Sequence, residues 1–174
     1  AFAGRWLSDW SARGCGAPLV LPAEWVRFFQ FEHHRPTQDP DRDPELAGKV
    51  PETRWQYIRH VSGIPLWIAS FKVLLTNASG RSQDAFVPAS GRAKIRREAL
   101  ILLGLYGVLI AASIALQSAL LLWVWVVPVV LGQPVLRLYL MAEHGRCAFV
   151  ANMFENSRTT FTGPLIRFFA WNMP

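Results

Sequence analysis

Between Ala99 and Leu136 lie 38 consecutive positions without a charged residue, dominated by Leu, Val, Ile, Ala and Trp. One helix of that length would run roughly 57 Å at about 1.5 Å per residue, against a hydrocarbon core of about 30 Å. A single crossing therefore cannot use the whole run, whereas two crossings of roughly 19 residues each can. Gln117 and Ser118, the polar pair at its middle, mark the expected reversal. The pattern predicts a transmembrane helical hairpin. Pro128 and Pro134 are expected to bend its second helix, which a span tolerates when neighbours satisfy the freed carbonyls.

Upstream the apolar pattern is weaker. Residues 16–31 are moderately apolar but broken by Pro18, Pro22, Glu24 and Arg27, and read as half of another span or as a surface helix. Residues 53–75 mix Trp55, Tyr57, Trp67 and Phe71 with Arg54, Arg59 and Lys72, which predicts a segment lying in the membrane interface with its aromatic side down. Residues 76–94, rich in Ser, Gly, Ala and Asn, read as a solvated loop. The expected class is thus all-α: an integral membrane helical protein with a transmembrane hairpin and interfacial helices. Three regions follow from it: 1–98, with the partial span and a cytoplasmic or interfacial segment; 99–136, the hairpin; and 137–174, a second cytoplasmic segment.

Charge refines the picture. Lys+Arg 18 against Asp+Glu 12 gives net +6, a balance that nucleic-acid binding would also produce, but Trp 8 and Phe 11 accompany it. Basic charge with abundant Trp fits a membrane surface, and no nucleic-acid partner is expected. Arg92, Lys94, Arg96 and Arg97 precede the apolar run, and Arg137 and Arg146 follow it. A hairpin returns to the side it left, so both basic flanks share one face, which the positive-inside rule assigns to the cytoplasm. An inner or cytoplasmic membrane is the expected location. Cys15 and Cys147 are too few for a disulfide scaffold or a zinc site.

The candidate chemistry lies in the four histidines, His33, His34, His60 and His144. Neutral imidazole is the commonest transition-metal ligand, and an adjacent pair followed by RPTQDPDRDPEL forms the densest polar cluster in the chain. Ligating imidazoles usually donate their second N–H to a carboxylate, for which Asp39, Asp43 and Glu45 are at hand. His144 follows a membrane helix, where a ligand or a cation capping the helix C-terminus are both consistent with the residue. The hairpin brings it to the same membrane face as residues 30–98. His60 sits in the amphipathic stretch and reads as an interfacial side chain, and Trp123 and Trp125 read as membrane packing.

The segment FEHHRPTQDPDRDPEL resembles the second histidine box of the membrane fatty acid desaturase family and the sequence after that box. The segment YLMAEHGRCAFVANMFENSRTTFTGPLIRFFAWNMP resembles the stretch leading into the third box. TRWQYIRHVSG and the hairpin between them match the family's order of elements. The resemblance implies two irons at the cytoplasmic face, held by histidine boxes and one additional histidine. They would use O₂ to introduce a double bond into the acyl chain of a membrane lipid. Electrons would come from a partner such as a ferredoxin or a cytochrome b5-like donor. Carried over by position, His33 and His34 are the closing pair of box two and His144 is the additional iron ligand. The chain departs from the pattern at Gln30, where the first histidine of box two is expected, and at Pro36, where a histidine or an aromatic is expected. Box one would precede Ala1 and box three would follow Pro174, so the sequence reads as an internal stretch that does not assemble the whole di-iron centre by itself. A related hydroxylase or ketolase, and a non-catalytic remnant, are the competing readings.

Overall fold

The computed structural model describes residues 5–34, 51–144 and 163–164. Its elements in chain order are α1 (Arg5–Gly16), a 3-10 turn (Ala17–Leu19), α2 (Ala23–His34), α3 (Arg54–Val61), α4 (Ile64–Ala78), α5 (Ala89–Ala115), a π-helical turn (Leu122–Val126) and α6 (Val127–His144). Every regular element among the described residues is helical, in agreement with the expected all-α class.

The uncharged run folds back where its polar pair stands. α5 ends at Ala115, and Gln117 adopts the left-handed conformation (φ 48°) that turns the chain. Ser113 Oγ donates to the Ser118 carbonyl at 2.7 Å, and Ser118 Oγ accepts the Leu120 N–H at 3.3 Å. These two serines satisfy backbone groups that the end of α5 and the start of the next helix leave without intrahelical partners. Residues 89–115 and 122–141 are each long and apolar enough to cross a membrane. The protein is therefore an integral membrane protein. The second helix opens with a π-helical turn directly before Pro128, whose missing N–H removes one rung of the regular ladder. Pro134 lies inside α6.

Residues 53–75 form two helices, α3 and the larger part of α4. α3 and α4 are broken at Ser62 and Gly63 and bent by 54°, and as a joined pair they also meet the length and apolarity of a span. The bend has a local cause: Gly63 sits at φ 73°, and a β-carbon there would lie 2.7 Å from Gln133 Cβ on α6. Pro65 then occupies the first turn of α4, where its missing N–H costs nothing. α3 begins with a capping box in which Thr53 Oγ1 accepts the Gln56 N–H and Gln56 Oε1 accepts the Thr53 N–H, both at 3.2 Å.

The solvated loop expected over residues 76–94 is shorter than that. α4 continues to Ala78 and α5 starts at Ala89. Asn77, a turn former by composition, is buried and donates its side-chain amide to the Val73 carbonyl at 2.9 Å, so it stays within the helix. The segment 16–31 resolves into the end of α1, a tight 3-10 turn and α2, and neither helix is by itself long and apolar enough to cross a membrane. α1 exposes Trp6 and Trp10 and carries the Arg13 guanidinium 5.6 Å over the Trp10 ring, the composition of an interfacial helix.

The packed centre is small. Val20, Leu74, Ala78 and Ala99 form it, with Trp67, Leu102, Leu103 and Tyr106 against them. Ala78 and Ala99 let α4 and α5 approach closely, as small residues do between membrane helices. Most large apolar side chains of the hairpin face outward, Ile114 at 72% exposure among them, because lipid covers them. The 3-10 turn docks on the hairpin through two aromatic donors: Tyr106 Oη to the Ala17 carbonyl at 2.6 Å and Trp125 Nε1 to the Pro18 carbonyl at 3.1 Å.

Candidate functional site

α2 carries the paired histidines in its last turn, and a set of ion pairs at the charged end of α5 fixes where it points. Glu98 Oε2 accepts the Glu24 backbone N–H at 2.9 Å, and Glu98 Oε1 accepts from Arg13 Nε at 3.1 Å. A carboxylate at a helix N-terminus satisfies an orphan amide and meets the positive end of the dipole. Glu24 in turn accepts from Lys94 Nζ at 2.8 Å and from Arg27 at 3.2 Å, and Arg27 also binds Asp9. The Arg27 guanidinium holds the Asp9 carboxyl below its ordinary pKa.

Further along α2 the Phe28 ring lies against Gly91, where a β-carbon would meet it at 2.7 Å. Trp25 and Phe29 stack at 5.2 Å and both pack edge-on against Phe86. Trp25 Nε1 donates to Asp84 at 2.8 Å. The pairs Glu24 with Glu98 and Phe28 with Gly91 run in opposite directions along the two helices. α2 therefore climbs past the start of α5, and His33 and His34 lie beyond the charged end of the hairpin.

α6 runs back towards that same end and finishes at His144. Seven residues, about 10 Å of helix, separate it from Arg137. His144 and the α2 pair thus stand at one end of the hairpin. On α2, positions 30, 33 and 34 are spaced three and four apart, which puts them on neighbouring sites of one helical face. Gln30 is exposed, whereas His33 is 8% exposed and already engaged by its surroundings. Pro36, Asp39, Asp43 and Glu45 lie outside the described residues. Among the described residues no group of three or more His, Cys, Asp or Glu side chains converges as a metal site. What the fold supplies is one imidazole pair and one further histidine carried to the same end by separate elements.

His60 stands apart from these. It closes α3, half-buried, and its pKa is lowered first by burial and then by the charge of Arg137 on α6. That environment opposes a cation. Gln133 was not legible as important: it is 3% exposed inside α6, and its Oε1 makes no hydrogen bond among the described residues. The available signal was a lone amide in an otherwise apolar stretch of a span.

Comparison with known families decides the kinship. The family described as fatty acid desaturase matches the chain over residues 1–174. The chain belongs to the fatty acid desaturase family. No curated protein and no solved structure matches it. The fatty acid desaturase family acts on acyl lipids by desaturase- or hydroxylase-type oxidation at a di-iron centre. Its membership and its two spans agree in placing the chain in a membrane.

Proposed function

We propose that this chain is part of a fatty acid desaturase that introduces a double bond into a membrane-borne acyl chain, with His33, His34 and His144 among its iron ligands. The observation that carries the reading is the family match over residues 1–174, to which the common placement of the three histidines at one end of the hairpin lends support. Bound iron would supply O₂ activation and hydrogen abstraction from an unactivated C–H bond, chemistry that side chains alone do not provide. The further ligands of two irons must come from histidines other than these three.

The chain's own residues do the holding and the steering. Glu98, Lys94 and Gly91 fix the direction of α2 and thereby the position of its last turn. His33 is 8% exposed, so packing limits the freedom of its side chain. An acyl chain reaches the site through lipid, and the open groove of about 630 Å³ on α4, lined by Ile64, Trp67, Ile68, Phe71 and Leu75, offers it an apolar wall. The cytoplasmic face is the proposed side for the histidines, and a ferredoxin or cytochrome b5-like donor is the proposed electron source. Gln30 favours a second reading, a non-catalytic member, because an amide oxygen is a poorer iron ligand than imidazole.

Metal analysis separates the two. A protein that carries this chain together with the remaining histidine boxes, purified in detergent, loaded with ferrous iron and desalted, should retain iron that is lost in His33→Ala, His34→Ala and His144→Ala. Retention of no iron, or equal retention by the triple variant, overturns the ligand assignment.

A further inference from the structure

At the N-terminal end of α5 the charged residues pass directly into the lipid-facing length of the helix. Ala93, Arg96, Arg97, Leu100 and Ile101 line a groove of about 640 Å³ at that boundary. Arg96 is tethered there: its Nε donates to the Ala78 carbonyl at 3.3 Å, and its guanidinium carbon passes 3.6 Å from the position of a β-carbon on Gly80. A guanidinium held through Nε keeps its two terminal nitrogens as a fork, the geometry that matches phosphate. Arg97 is exposed and makes no ion pair among the described residues.

The nearby carboxylates are committed elsewhere. Glu98 holds Arg13 and the first turn of α2, and Glu24 holds Lys94 and Arg27. Among the described residues no acidic side chain lines the groove. Below Arg97, at helical spacing, Ile101, Leu105 and Val108 form an exposed stripe of 58%, 43% and 66%. A pair of cationic forks above an apolar stripe complements an amphiphile with an anionic head. A soluble phosphate would occupy the arginines and leave the stripe bare.

We propose that this groove binds an anionic phospholipid, its phosphate on Arg96 and Arg97 and an acyl chain along Ile101, Leu105 and Val108. The inference rests on the membrane-spanning fold and is independent of the iron chemistry. The bound lipid would pin the level of α5 in the leaflet, and with it the α2 turn that Glu98 anchors.

The test is lipid retention by the chain in an uncharged detergent, counted by native mass spectrometry after addition of phosphatidylglycerol or phosphatidylcholine. Phosphatidylglycerol should be retained in preference. Arg97→Gln, which leaves the Arg96 tether intact, should weaken the preference roughly fivefold, the effect of one basic side chain at an anionic surface. The Arg96→Gln, Arg97→Gln double variant should abolish it. Arg92→Gln, on the same basic segment but outside the groove, should keep it. The proposal is overturned by equal retention of the two lipids, by a loss in Arg92→Gln matching that in Arg97→Gln, or by displacement of the lipid with excess glycerol phosphate.

Discussion

Glu98, the last charged residue of α5, accepts the backbone N–H of Glu24 at 2.9 Å and so sets the start of the helix that ends in the paired histidines. One carboxylate thereby ties the membrane level of α5 to the position of His33 and His34. Glu98→Gln should loosen α2, with faster amide exchange over residues 23–34. A stability loss of about 1–2 kcal/mol is expected in detergent, given that its Arg13 partner is 38% exposed and screened. Unchanged exchange in α2 would show that the aromatic contacts at Phe86 and Gly91 suffice without it.

Gly63 and Gln133 are packed backbone to side chain. Gly63→Ala introduces a β-carbon 2.7 Å from Gln133 Cβ at a φ of 73°, and should cost about 1–3 kcal/mol by overpacking and left-handed strain. Combining it with Gln133→Ala should recover part of that loss, since the two residues share one contact. Thermal unfolding of the two single variants and the pair gives the coupling, and strict additivity would contradict the contact.

The α3–α6 contact should depend on pH through His60. Its folded pKa lies below the ordinary value of 6.5 because burial and Arg137 disfavour the cation. Its contribution is therefore fully present above pH 6.5 and is lost as pH falls to and through the folded value, where the charged form prefers the unpacked state. Stability measured from pH 8 down to pH 5 should fall in the wild type, and His60→Gln should flatten that part of the profile. A slope that survives the substitution would assign the effect to another group.

Gln30 occupies the expected first ligand position of the second box, one turn before His33 and His34 on the same face of α2. Gln30→His should raise iron retention after loading with ferrous iron, and the gain should vanish when His34→Ala is added. An iron content indifferent to position 30 would remove that position from the ligand set.

If one metal site recruits both helices, positions 33 and 144 must face the same aqueous compartment. In a background with Cys15 and Cys147 replaced by Ser, His33→Cys and His144→Cys should react with a membrane-impermeant maleimide from one side only, and from the same side. Labelling from opposite leaflets would end the shared-site proposal.

The amino-acid sequence alone determined the hairpin and its reversal at Gln117 and Ser118, because the length of an uncharged run against the thickness of a bilayer leaves only one way to fold it. It also carried the kinship, through the residues around His33 and His144. The break between α3 and α4 was not legible, since it depends on Gln133, 70 residues away, leaving no room for a side chain at Gly63. The persistence of α4 through Asn77 likewise needed burial against α5 to overrule a turn-forming residue. The direction of α2 was decided by Glu98, 74 residues from the amide it caps. Local pattern reports which segments seek lipid and which seek water; only the packed structure selects the partners that satisfy each polar group once water is gone.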